Sequence, residues 1–207
     1  MKKQLILSAI AAVALGAPAA SMAESLDFNY KVDRFADIEV LRYKVPDFEQ
    51  LTIQQKELVY YLTEAALYGR DILTDQNGKY NLAIRTTLEN IYKNYDGSKD
   101  DADYKGFVLY LKQVWFANGI HHHYSTDKFT PQFSQTFFET QVKKLSKKQL
   151  PLRKGQTVDA FLKEITPVIF DPTVMAKRVN QANGQDLILT SANNYYEGVT
   201  QAEVEQF

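Results

Sequence analysis

The chain has no cysteine, and this absence removes several classes of protein at once. Disulfide bonds, thiolate metal sites, a cysteine nucleophile and lipid attachment at a cysteine are all excluded. There is no excess of positive charge either, because 24 basic residues face 25 acidic ones. Recognition of nucleic acid usually shows as a basic excess, so no nucleic-acid partner is expected.

Glycine is also scarce, and the nine glycines are scattered through predicted turns. No phosphate-binding loop and no dinucleotide fingerprint occurs. A Gly-x-Ser-x-Gly nucleophile motif is missing, and no histidine is followed by glutamate as in the zinc-protease helix. The sequence therefore contains no complete catalytic constellation, and we assign no catalytic residue and no metal ligand to it.

The one long apolar run lies at the amino terminus, from Leu5 to Leu15. It follows Met1-Lys2-Lys3, and small residues surround Ala23, which is typical of a secretory signal peptide cleaved after that residue. The run is shorter than the ~20 residues that cross a bilayer, so a permanent anchor is the weaker reading and no membrane partner is expected. We predict residues 1–23 as a signal peptide and an exported, periplasmic product.

The mature chain, residues 24–207, is long enough for one domain with a hydrophobic core. Removing two lysines and no acid leaves 22 basic against 25 acidic residues, a net charge of about −3. The patterns predict a mainly α fold with a few short strands, an α+β chain. Strands are expected between Leu26 and Val45, with a change of phase between Val40 and Leu41.

Six helices are predicted from capping residues and apolar stripes. The first three should pack as a bundle. Two short strands are expected near the carboxyl end, at Leu187–Thr190 and 195–199. Thr200 and Glu203 form a further capping box, which announces a helix, but the sequence stops at Phe207 within two turns of it. We therefore expect the chain to be incomplete at its carboxyl end. The helices are expected at Ile53–Leu73, from Asn81, from Ser98 and Asp101 to Asn118-Gly119, from Ser134, from Thr157 to Pro167, and from Asp171 to Val179.

The stretch from Val114 to Pro131 is the most distinctive part of the chain. It holds the only tryptophan and all three histidines, His121, His122 and His123. Consecutive residues point in different directions, so a zinc site made by these three side chains is not expected. A loop that offers imidazoles and aromatic rings to a ligand is the better interpretation.

Three segments resemble the dipeptidyl peptidase III family, in its bacterial branch. The first is Asn118-Gly119, four further residues, and then Tyr124-Ser125-Thr126-Asp127-Lys128-Phe129-Thr130-Pro131. The second is the helix with Tyr60-Tyr61-Leu62 and Tyr68-Gly69, and the third runs from Phe107-Val108 to Val114. Together the similar segments span roughly residues 50 to 200. The family's other branches differ from this chain between Ile120 and His123.

The resemblance implies the amino-terminal, mostly helical, non-catalytic lobe of a two-lobed zinc exopeptidase. Such an enzyme removes dipeptides from the amino terminus of short peptides. Its zinc is bound by a His-Glu-x-x-x-His helix and a further Glu, which residues 1–207 do not contain, so the zinc of the full-length protein would belong to a missing carboxyl-terminal catalytic lobe. The family pattern places Tyr124 against the peptide substrate, with His123 beside it and Asn118 holding the loop.

Two alternatives from other classes remain. A self-contained periplasmic helical module could bind a small ligand through the loop from His121 to Tyr124. A structural or partner-binding domain is the other possibility, and it would require an exposed apolar patch.

Overall fold

The computed structural model describes residues 28–207. The chain divides into two compact units, with the boundary after Gln50. The predicted signal peptide and its cleavage after Ala23 lie outside the described residues. The fold is mainly helical with one small antiparallel sheet, which confirms the α+β prediction at that level. Among the described residues, no helix is long and apolar enough to cross a membrane.

The first unit contains a β-hairpin made by β1 (Lys31–Phe35) and β2 (Ile38–Leu41). The strands are antiparallel, and Phe35 pairs with Ile38 beside the turn. The pairing is irregular between Lys31 and Asp33, which face Leu41 and Val40. The predicted change of phase between Val40 and Leu41 falls at this irregularity. A short 3-10 helix, Phe48–Gln50, follows.

The second unit begins with two helices where one was predicted. Helix α1 (Ile53–Tyr68) is capped by the expected box of Thr52 and Gln55, and α2 covers Arg70–Gln76. The prediction of one continuous helix to Leu73 was wrong because α1 ends at Gly69. Glycine has the lowest helix propensity after proline. No residue of α1 is buried.

Helices α3 (Asn81–Asn94) and α4 (Ala102–Ala117) pack against each other. Asn81 was expected to cap α3 but is its first residue, and its side chain bonds elsewhere. Helix α4 is capped by Asp101, whose side chain accepts the N–H of Tyr104 at 3.1 Å. The predicted three-helix bundle is therefore incomplete, because the helix expected as its first member has no buried face.

Helices α5 (Gln135–Lys144) and α6 (Val158–Phe170) complete the core. Their predicted caps, Ser134 and Thr157, each accept a backbone N–H. A 3-10 helix, Lys147–Gln149, lies between them. Pro167 was expected to end or kink α6, but the helix continues three residues beyond it. The largest fully buried core side chains include Tyr110, Phe107, Phe138, Ile84, Leu88, Ile91 and Leu111.

The apolar stripe of α4 in the sequence includes Trp115 and predicts that this side chain faces the core, which was wrong. Trp115 is 42% exposed, and its indole N–H donates to Glu89 at 2.9 Å. Gly106 and Tyr110 are buried instead. A Cβ on Gly106 would lie 1.8 Å from the carbonyl oxygen of Gln132, so the backbone after the loop approaches α4 where only glycine leaves room.

The carboxyl-terminal part differs most from the sequence prediction. No helix covers Asp171 to Val179; the Asp171 side chain instead accepts the N–H of Thr173 at 2.8 Å and starts a turn. Leu187–Thr190 is a short helix, α7, capped by Asp186, and 195–199 holds no strand. The capping box of Thr200 and Glu203 is confirmed and begins α8, Gln201–Gln206.

Candidate functional site

The loop from Asn118 to Pro131 starts at a sharp turn after α4. Asn118 takes the left-handed conformation with φ 53° and ψ 43°, and Gly119 follows with φ 150°. Because glycine takes the left-handed conformation without steric cost, the pair Asn118-Gly119 predicts glycine in that position. Asparagine tolerates this conformation because its short polar side chain can form local hydrogen bonds. Both residues donate their backbone N–H to the carbonyl of Val114.

Two asparagines near the start of α3 hold this turn. The Asn77 amide donates to the carbonyls of Ala117 at 3.3 Å and Asn118 at 3.1 Å. The Asn81 side-chain oxygen accepts the N–H of Ile120 at 3.3 Å. Polar backbone groups at a buried helix end need such partners. The predicted role of Asn118 in holding the loop therefore falls on its backbone, which Asn77 binds.

Beyond the turn the loop folds back on itself as a small hairpin. His122 donates its backbone N–H to Asp127 at 2.7 Å, and Phe129 donates to Ile120 at 2.9 Å. Thr126, at the tip, has φ 63°. These bonds are local and give the loop a defined shape.

A distant segment, residues 174–179, runs beside this hairpin and is bonded to it. Lys128 donates its backbone N–H to Ala176 at 3.1 Å, and the N–H of Arg178 donates to Thr126 at 2.9 Å. An ion pair between Lys177 and Asp127 spans 2.7 Å. The predicted helix over this segment was wrong because Met175 takes a positive φ of 51°, and Ala176 and Arg178 form backbone bonds with the loop instead of within a helix.

His121 is a structural residue of this assembly. It is 2% exposed, and its Nε2 lies 2.7 Å from the carbonyl oxygen of Met175. Since a carbonyl only accepts, the imidazole hydrogen is on Nε2. Burial lowers the pKa of His121 from 6.5 to about 4, and the bond to Met175 opposes that shift only in part. The buried neutral ring is therefore not presented to a ligand.

His122 also bonds within the loop. Its Nδ1 accepts the backbone N–H of Tyr124 at 3.2 Å and of Ser125 at 3.1 Å. The lone pair that could bind a metal is thus directed at two amides. The three histidines do not converge on one point, and no group of three or more His, Asp or Glu in residues 28–207 could hold a metal ion.

Tyr124 is the exposed aromatic residue of the loop, and His123 beside it is half-buried. The His123 ring lies 5.0 Å from Phe116, 4.4 Å from His122 and 4.3 Å from Tyr124, measured between ring centroids. Tyr124 is 85% exposed at the end of this row. The phenol of Tyr124 can therefore hydrogen-bond to or stack on a ligand, whereas Nδ1 of His123 is buried.

Two residues with clear roles at the site were missed. Lys128 is half-buried and donates through Nζ to the carbonyls of Asp171 at 2.6 Å and Val174 at 2.9 Å, and burial lowers its pKa to about 8. Arg178 donates through Nη2 to the carbonyl of His123 at 3.1 Å. Their acceptors are backbone groups more than 40 positions away, for which the sequence offers no signal.

A cavity of about 280 Å³ lies between this loop and the end of α6. It is lined mainly by apolar side chains, among them Phe129, Phe170 and Pro172, and Lys128 also contributes to its wall. Neither His123 nor Tyr124 lines it. The exposed Tyr124 ring and this cavity are therefore separate features of the loop.

No protein-family model matches the chain, and no curated protein matches it.

Proposed function

We propose that the chain is the amino-terminal helical lobe of an exported zinc-dependent dipeptidyl peptidase of the dipeptidyl peptidase III type. In this proposal the full-length enzyme releases dipeptides from the amino terminus of short peptides. The zinc ligands belong to a catalytic lobe outside residues 1–207. This chain supplies a peptide-binding surface at His123 and Tyr124.

The observation that carries the proposal is the presentation of Tyr124. The side chain is 85% exposed, yet the loop beneath it is bonded to α4, to the turn before α3 and to residues 174–179. A large aromatic ring held in water by an ordered backbone offers contact area at low entropic cost, which suits ligand binding.

A second observation supports the placement of this lobe in a larger protein. Helix α1 includes the Tyr60-Tyr61-Leu62 motif of the resemblance, and its exposed apolar residues point in all directions around the helix axis. A helix that is apolar all round is normally buried. In the proposed enzyme, α1 packs against the rest of the protein. The large exposed apolar residues of α1 are Ile53, Leu58, Val59, Tyr60, Tyr61, Leu62, Leu67 and Tyr68.

Peptide titration tests the binding role of Tyr124. We expect Tyr124→Ala to weaken binding of a short peptide to residues 24–207 by about tenfold, the loss of one well-placed aromatic contact. Tyr43→Ala is the matched control, since Tyr43 is 83% exposed in the other unit. Isothermal titration calorimetry measures both. Equal affinities for the two variants would contradict the proposal.

Activity gives an independent prediction. Because the proposal assigns the zinc ligands to a lobe outside residues 1–207, the purified product should release no dipeptide, with or without added zinc. Mass spectrometry of a peptide after incubation with the protein checks this. Dipeptide release that disappears on chelation would place a working metal site within residues 24–207 and contradict the division of roles.

A self-contained binding module is the second candidate, and the closed core favours it. Phe107, Leu111 and Phe138 have no exposed surface. Tight binding of a small periplasmic solute at Tyr124, without affinity for peptides, would support this candidate. The apolar surface of α1 also meets the requirement of a partner-binding domain.

A further inference from the structure

The peptide unit between His123 and Tyr124 is held at both of its polar ends. Its carbonyl accepts from Nη2 of Arg178 at 3.1 Å, and its N–H donates to Nδ1 of His122 at 3.2 Å. Both groups belong to one planar unit, so the plane cannot rotate without breaking a bond. We propose that His122 and Arg178 are positioning residues that fix this plane and so direct Tyr124, an inference that rests on the proposed ligand contact of Tyr124.

His122 acts on the plane as an acceptor for a turn. Its Nδ1 lies within hydrogen-bond distance of the amides of both Tyr124 and Ser125. Asparagine and aspartate side chains fill this role in many turns, through an oxygen attached to the same Cγ position. The function of this histidine therefore depends on one neutral acceptor atom, which an asparagine can also supply.

Arg178 acts on the plane as an anchored donor. Its N–H is bonded to Thr126 at 2.9 Å, and its carbonyl accepts from Asn193 at 3.1 Å, so the base of the side chain is fixed. The second guanidinium nitrogen lies 3.5 Å from Oδ1 of Asn77, whose amide holds Asn118. The planar guanidinium thus links the beginning and the middle of the loop.

The exposure of Tyr124 makes this backbone control necessary. A side chain with 85% of its surface in water gains little order from packing, apart from its contact with the His123 ring. Its direction is then set by the backbone that carries it. Loss of either bond to the peptide plane should weaken ligand binding by increasing disorder, although neither His122 nor Arg178 is required to touch the ligand.

Amide hydrogen exchange of the ligand-free chain tests the role of His122. In His122→Ala, the amides of Tyr124 and Ser125 should exchange at least about fivefold faster, as expected for one lost hydrogen bond. His122→Asn should keep slow exchange, because its oxygen replaces Nδ1. Thermal unfolding of each variant confirms that it is folded. Unchanged exchange of both amides in folded His122→Ala would overturn the inference.

Arg178 is tested with a neighbouring cation as the control. Arg178→Met should increase the exchange of the Tyr124 amide, whereas Lys177→Met removes only the ion pair to Asp127 and should not. An equal effect of both variants would show general loosening of residues 174–179 and would overturn the role of Arg178.

Peptide affinity then separates this inference from the proposed function. If the wild-type chain binds peptide, His122→Ala should weaken binding about fivefold or more and His122→Asn should restore it. If the wild-type chain binds no peptide, the proposed function fails, and hydrogen exchange alone decides whether His122 and Arg178 fix the plane.

Discussion

Helices α1 and α4 are both sixteen residues long and rich in apolar side chains, yet their surroundings differ completely. Seven residues of α4 are buried, including Phe107 with no exposed surface. No residue of α1 is buried, and Leu62 is 60% exposed. The apolar sequence of a helix thus shows that the helix could bury surface. How much the helix stabilises the fold depends on which residues pack against it.

Truncation of one apolar residue in each helix tests this difference and has the largest expected effect. Phe107→Ala should lower the free energy of unfolding by about 4 kcal/mol, since it removes buried area and leaves a cavity. Leu62→Ala should change it by less than about 0.5 kcal/mol, because its side chain is already in water. Urea unfolding followed by circular dichroism measures both. A loss of similar size in Leu62→Ala would show that α1 is covered in solution.

The two glycines of these helices sharpen the comparison. Gly106→Ala should destabilise the chain by about 3 kcal/mol, because the new methyl group collides with the carbonyl of Gln132. Gly69→Ala, at the end of α1, should change stability by less than about 1 kcal/mol, since its nearest contact is the Ala66 carbonyl at 3.3 Å. Thermal unfolding compares the pair. Equal effects would contradict the close approach at α4.

Lowering the pH should distinguish the surroundings of α4 from those of α1, with a smaller change in the free energy of unfolding than Phe107→Ala causes. His121, four residues after α4, has a folded pKa of about 4, below its ordinary 6.5. The unfolded chain therefore binds the proton more tightly, and stability falls as pH decreases from about 6.5 to about 4, by up to about 3 kcal/mol. His121→Leu should lose this pH dependence. Helix α1 has no buried ionisable side chain, so the protection of its amides from hydrogen exchange should not change over this pH range.

The measurement is the urea midpoint of wild type and His121→Leu at pH 7 and pH 4.5. Carboxylates with lowered pKa values, such as Asp171 and Asp186, add a common loss at lower pH in both proteins. The difference between the two proteins isolates the imidazole. Identical pH dependence would show that His121 is not buried as a neutral ring.

Local signals were the predictable part of this fold. Ser134, Thr157 and the box of Thr200 and Glu203 were identified as caps because each acts on an amide within three residues. Leu187–Thr190 was predicted as a strand from its apolar run, but Asp186 before it accepts two amides and starts a helix. Short apolar runs do not distinguish the two structures by periodicity.

Long-range bonds were the unpredictable part. Asp171 and Pro172 suggested a helix, and nothing in the sequence of residues 174–179 indicates that their partners lie in the loop. His123 and Tyr124 were predicted to contact a peptide, and this stays a prediction. The hydrogen bond from Arg178 to the carbonyl of His123 could not be predicted, because every residue has a backbone carbonyl that can accept one.

The pairing of the loop with residues 174–179 has a consequence for the order of events during synthesis. His121, His123 and Thr126 each bond to a residue 53 to 55 positions later in the chain. When the histidines leave the ribosome, these partners have not yet been translated. The loop around Tyr124 can therefore reach this shape only after α5 and α6 have emerged, and a nascent chain that pauses before residue 174 lacks the partners of the loop.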